Sequence, residues 1–343
     1  MADSASAQSD APARSRRGLS RGLTTVLVAT VAIYALGFIL PKAGSSVHWG
    51  TVQTALQFAA ILAIVALGQT LVVQQGGIDL SIQGSMSLVI VIVTHYPDGS
   101  DGKLLPAVLL ALVVALGAGV VNGILVGVIE LNPIVATLGT NALLYGLVLR
   151  ISGGTPRTTT DRLAHIAGGK SLGIPNAVYF AVAATIVVTA LVKLTVAGRR
   201  FEGVGANPHA ALTSGLRVKG HRAGGYVWAQ VLYWLGGVIF AGVVTQPTAY
   251  QGDTYLLPSV AAVVLGGTSL LGGRGNLVAT AVAALFLIQL EQFVLALGVS
   301  FAWRTIVQAV ALAIGVALYT VDWRALVGRR LAQRRSGRVA STT

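Results

Sequence analysis

Residues 199–222, RRFEGVGANPHAALTSGLRVKGHR, form the longest basic and polar interruption in an otherwise apolar chain. Long hydrophobic runs flank it on both sides. The fold is therefore a series of apolar segments, and this connection has structure of its own. Its first residues read as a short loop. Asn207 and Pro208 then start a helix that runs to about Gly215. Asn can cap a helix, and Pro at the first helical position loses no needed hydrogen bond. Gly215 is a natural stop. A basic stretch with Arg217, Lys219 and Arg222 leads out. A small helix tethered between two spans on the basic side suits a docking element better than an active site.

Working outward, the composition supports a membrane chain. Of 343 residues, 54% are hydrophobic and 10% charged. A soluble domain carries roughly a quarter charged residues, so the polar surface here is too small to cover a globule. The 42 glycines suit close packing of membrane helices. The chain has no Cys, which excludes disulfides, thiolate metal sites and Cys nucleophiles. The net charge of +13 is read as a record of orientation, not as a nucleic-acid surface.

Ten apolar runs are expected to be membrane helices: 23–40, 54–75, 82–95, 104–129, 133–152, 177–196, 225–246, 258–272, 277–297 and 302–321. The fold class is thus all-α and polytopic, with eight to ten spans. Runs 82–95 and 258–272 are short and adjoin glycine-rich stretches, so they are expected to be broken or re-entrant near 76–95 and 258–276. Residues 1–22 and 323–343 read as basic cytoplasmic tails around a transmembrane domain at 23–322. With both tails, the stretch from Lys193 to Arg222 (the 197–224 loop) and the loop at Arg274 inside, 17 of the 24 Lys and Arg lie inside. Loop 153–175 is the one sizeable outer loop, and the outer loops near Asp98 and Asp253 are small. No GxxxxGK[ST] sequence occurs, so any ATP is hydrolysed by another chain.

Two further stretches carry polar groups between apolar runs. Gly76-Gly77-Ile78-Asp79-Leu80-Ser81 places a carboxylate where it needs solvation or a partner. Asp79 and Ser81 either cap the helix at 82–95 or form a polar kink beside a translocation path. Residues 260–276, VAAVVLGGTSLLGGRGN, place Gly266, Gly267, Thr268 and Ser269 among aliphatics. That pattern implies close backbone packing or a broken helix.

These residues resemble the membrane-spanning permease subunits of bacterial ABC importers of the ribose/xylose/galactose group. The resemblance rests on GGIDLSIQGSMSL (76–88), NPIVATLGT (132–140), GVGANPHAALTSGL (203–216) and VAAVVLGGTSLLGGRGN (260–276), in that order. It covers about residues 20–322. It implies a dimeric pore, usually of two identical permease chains in the lipid of the bacterial inner membrane. Two ATPase subunits, which hold the ATP and Mg, would sit on its cytoplasmic face, and a periplasmic binding protein would deliver the solute. This chain itself would carry no cofactor and catalyse nothing. The family's coupling segment falls on Gly205, Asn207, Ala210, Ala211, Ser214 and Gly215, with Pro208 and Arg217 beside them. His209, Leu212, Thr213 and Gln83 depart from the usual pattern. The resemblance implies that the solute would be a pentose, hexose, polyol, autoinducer-2 or a related compound.

Two other classes compete. An ion-coupled transporter would use intramembrane acids, for which Asp79, Glu130 and Glu291 are the candidates. A membrane enzyme would need a metal or a base, but His48, His95, His165, His209 and His221 share no ligand spacing.

Overall fold

The computed structural model describes residues 21–273 and 275–298, together with Trp303, Ile306, Ala309 and Val310. The first 20 residues, Arg274, most of the 302–321 run and the tail at 323–343 lie outside the described residues.

The helices are α1 (Arg21–Ile39), α2 (Trp49–Gln74), α3 (Ile82–His95), α4 (Leu104–Asn122), α5 (Pro133–Ser152), the short α6 (Asp161–Leu163), α7 (Asn176–Leu194), α8 (Val196–Ala206), α9 (Pro208–Thr213), α10 (Val218–Val244), α11 (Leu256–Leu265) and α12 (Leu277–Ala296). A two-residue hairpin pairs β1 (Lys170–Ser171) with β2 (Ile174–Pro175), antiparallel. Among the described residues, seven helices are long and apolar enough to cross a membrane, and α3 is a shorter apolar helix. The chain is a polytopic all-α membrane protein.

Contacts between connections sort the helix ends into two sets. At the end bearing α9, Gly273 N donates to Gln74 O (2.8 Å) and Lys219 Nζ donates to Val128 O (3.0 Å). At the hairpin end, Gln53 Nε2 donates to Gly173 O (2.8 Å) and Arg157 pairs with Asp98 (2.7 Å). Successive long helices therefore run in alternating directions.

Helix α2 is the axis of the bundle. Its residues 59–74 are buried on every side, as expected of a helix that is apolar all round. The outer helices expose Val28, Val31, Val113, Leu143 and Ile186, which suits contact with hydrocarbon. Helix α4 and the helical turn Gly123–Val128 that continues it meet α10 through Gly119, Gly123 and Gly127, about one turn apart. A Cβ at Gly119 would come within 2.8 Å of Val227 Cα, and one at Gly127 within 2.6 Å of Ala223 N. Small residues let the two backbones approach this closely.

Three segments depart from the sequence reading. Residues 199–206 are helical, not loop, because Thr195 Oγ1 accepts from Gly198 N (3.0 Å) and caps α8. The 258–272 run is helical only to Leu265, and its remainder turns through Gly267 at φ +83°. The loop near Asp253 does not stay at the hairpin end. Thr245 O is there, accepting from Thr159 N (2.7 Å), but Gly252 N donates to Ser87 Oγ (3.0 Å). A Cβ at Gly252 would stand 2.1 Å from Gln83 O. Ser87 lies about 12 Å, and Gln83 about 18 Å, along α3 from His95. The chain thus descends to mid-depth before the 3-10 turn Gln251–Tyr255, and α11 covers only about the remaining 15 Å.

Candidate functional site

The interruption at 199–222 folds as two short helices. Asn207 Oδ1 accepts from Ala210 N (3.0 Å), and Pro208 stands in the first turn of α9. The helix ends at Gly215, φ +76°, with Gly215 N donating to Leu212 O (2.9 Å) and Leu216 N to Ala211 O (3.0 Å). This paired closure needs a left-handed residue, which glycine supplies without strain. The faces of α9 are unlike one another. Ala211 is buried, whereas His209, Ala210, Leu212, Thr213, Ser214, Gly215 and Arg217 are exposed. Leu212 is 63% exposed at the tip. An outside partner would therefore meet Ala210, Leu212 and Ser214, while Ala211 packs on its own chain.

At the junction of its two helices the α8–α9 unit abuts both glycine-rich stretches. A Cβ at Gly205 would stand 2.1 Å from Gln74 O. One at Gly272, φ +93°, would stand 3.0 Å from Gly205 O and 3.2 Å from Gln74 O. One at Gly273 would meet Ala206 Cα at 2.8 Å. Gln75 Nε2 adds a hydrogen bond to Phe201 O (2.9 Å). Backbone thus touches backbone where the α2 turn, the end of α8 and the loop before α12 meet. Gly205 belongs to the expected coupling set; Gln74 was not a candidate.

Asp79 is fully buried in the link between α2 and α3. Its Oδ1 accepts from Ser81 N (2.8 Å) and Ser81 Oγ (2.6 Å), and its Oδ2 accepts from Gln230 Nε2 (3.4 Å). Ser81 Oγ in turn accepts from Asn122 Nδ2 (2.8 Å) and Gln230 Nε2 (2.9 Å). One carboxylate and one hydroxyl therefore tie the link to α4 and α10. The expected capping of α3 by these two residues does not occur. Ser81 has helical dihedrals and makes no side-chain cap bond. Instead Asn141 Oδ1 of α5 accepts from Gly84 N (2.7 Å). Local spacing cannot reveal a cap supplied by another helix.

The second stretch is a helix end. Gly267 N donates to Val264 O (2.9 Å) and Thr268 N to Val263 O (3.1 Å), closing α11. Gly266 lies against Thr280, where a Cβ would stand 2.7 Å from Thr280 N. Thr268 Oγ1 accepts from Asn276 N (3.5 Å), and Ser269 Oγ accepts from Leu271 N (3.3 Å). The other candidate acids are apart from Asp79. Glu130 is exposed at the α9 end beside Lys219 (3.2 Å), and Glu291 is buried in α12. Among the described residues, no group of three or more His, Cys, Asp or Glu could hold a metal ion.

Comparison with known proteins identifies the family. Residues 51–316 match the family described as the branched-chain amino acid transport system permease component. The probable ABC transporter permease protein y4mJ of Sinorhizobium fredii is 33% identical over 89% of this chain and 92% of its own. The ribose import permease RbsC of Bacillus subtilis is 34% identical over 85% of this chain and 89% of its own. The autoinducer 2 import system permease LsrC of Yersinia enterocolitica is 31% identical over 92% of this chain and 86% of its own. No solved structure matches. A chain matched over most of its length by this family, and folded as a polytopic helical bundle, belongs to the permease subunits of ABC importers.

Proposed function

We propose that the protein forms the pathway by which a sugar-like solute enters a bacterial cell. The relatives named for ribose and for autoinducer-2 support a pentose-like or autoinducer-2-like solute, and a hexose or a polyol belongs to the same chemical class. The α9 end faces the cytoplasm and the hairpin end faces the periplasm. Two copies pair in the inner membrane. Separate ATPase subunits, carrying the ATP and Mg, dock on α9, and a binding protein presents solute at the hairpin end. One observation carries this reading: the α8–α9 unit touches the α2 turn and the loop before α12 through backbone at Gly205, Gly272 and Gly273. A partner that shifts α9 would shift both interruptions with it.

The test is copurification with the ATPase and binding protein, and the probe is Leu212→Glu. A charge at an exposed tip leaves the membrane fold intact but spoils an apolar contact. We expect normal membrane expression, loss of most of the ATPase from the purified permease, and loss of solute-stimulated ATP hydrolysis. Retention of both would overturn the docking assignment. Orientation is read by thiol labelling, since the chain has no Cys of its own. Leu172→Cys, at the hairpin tip and 97% exposed, should react with an impermeant reagent in intact cells. Ser214→Cys should not.

A further inference from the structure

The segment that dips between α10 and α11 carries exposed polar side chains at a depth where lipid would reject them. Tyr250 is 41% exposed, and Asp253 and Thr254 are exposed beside it. An exposed carboxylate and irregular backbone persist at this depth only where they line water or are covered by protein. Two groups stand behind the segment. Tyr145 of α5 packs its ring on Tyr250, centroids 5.6 Å apart. Asn141 Nδ2 donates to Gln83 Oε1 (3.4 Å), holding a half-buried amide next to Gly252.

We infer that Gln83, Tyr250, Asp253 and Thr254, backed by Asn141 and Tyr145, form the solute-contacting wall of the aqueous path, and that the wall takes a neutral polyhydroxylated solute. The side chains supply an aromatic face for the C–H side of a ring, and an amide, a hydroxyl and a carboxylate for its hydroxyls. None of the six is basic. The N-terminus of α11 would otherwise attract an anion, but Asp253 stands just before it and compensates that helix end. A zwitterionic amino acid would leave its carboxylate without a partner here. Asp79 is excluded from the wall because it is sealed inside the chain.

The inference rests on the transport reading, and its test reports on the two separately. The full chain is expressed in membranes with its ATPase and its binding protein, as Tyr250→Cys, Thr254→Cys, Leu143→Cys or Val113→Cys. Leu143 and Val113 are 70% and 65% exposed on apolar helix faces. Thiols ionise and react only where water reaches them, so the first two should react with a polar methanethiosulfonate at least about tenfold faster than the controls. Thr254→Cys carries the test if Tyr250→Cys does not reach the membrane. At least one of ribose, xylose, galactose and inositol should slow that labelling, and leucine and valine should not. Labelling no faster than at Leu143→Cys would overturn the wall. Fast labelling that leucine or valine slows, or that neither set slows, would overturn the solute class. Fast, sugar-protected labelling without solute-stimulated ATP hydrolysis would overturn the importer reading and leave the wall standing.

Discussion

Asp79 and Asp253 each sit in a break between helices, yet their surroundings are opposite. Asp79 is sealed, and three hydrogen bonds tie its carboxylate to Ser81 and Gln230. Asp253 is exposed in a segment that descends to mid-depth. The sealed break fastens α3 to α4 and α10. The open break borders a space. In a chain with 11 acids, the acid that stands out most in the sequence is therefore a fastening, and a less conspicuous one faces the path.

The largest expected effect tests whether the sealed side depends on backbone contact. Gly205→Leu would place side-chain atoms within the Gln74 carbonyl. It should cost about 4 kcal/mol or more, beyond what one substitution usually does, and leave little folded permease. Gly203→Leu, with nothing within 4 Å of its Cβ position, should behave as the parent. Similar yields and thermal midpoints for the two would break the comparison.

A smaller effect separates the two acids. Asp79→Ala strands the buried Ser81 hydroxyl proton and backbone N–H, which both donate to Asp79 Oδ1, at a cost of about 3 kcal/mol. Asp253→Ala should leave the thermal midpoint within error of the parent and instead lower solute flux. Equal losses of stability would show that the open break is as structural as the sealed one.

The smallest effect sharpens the boundary between them. Asn141 caps α3 at Gly84 and also holds Gln83 beside the open break. Asn141→Ala should cost about 1 kcal/mol of stability through the lost cap. Solute selectivity should change as well, because Gln83 loses its restraint. A stability loss with unchanged selectivity would assign Asn141 to the sealed side alone.

The sequence made the long spans legible because apolar runs of this length have few other uses. The α9 caps were legible too, since Asn207, Pro208 and Gly215 act on their own neighbours. What escaped was set by contacts distant in sequence. Asn141 caps a helix 57 residues away. Ala211 faces inward although it belongs to the segment expected to dock a partner. The depth of the 245–255 segment follows from Gly252 meeting Gln83 and Ser87, and nothing local marks it. The helix over 199–206 was missed because its cap, Thr195, lies within the preceding apolar run.

The junction of Gly205 with Gln74, Gly272 and Gly273 has a mechanical consequence. Long side chains are springs: they can change rotamer and absorb a displacement at a cost of about 1 kcal/mol. Main chain in van der Waals contact has no such slack, because its bonds and peptide planes are stiff. A push of an ångström on α9 should arrive at the α2 turn and at the loop before α12 nearly undiminished. The glycines here act as a gearing surface, and their value lies in the compliance they remove.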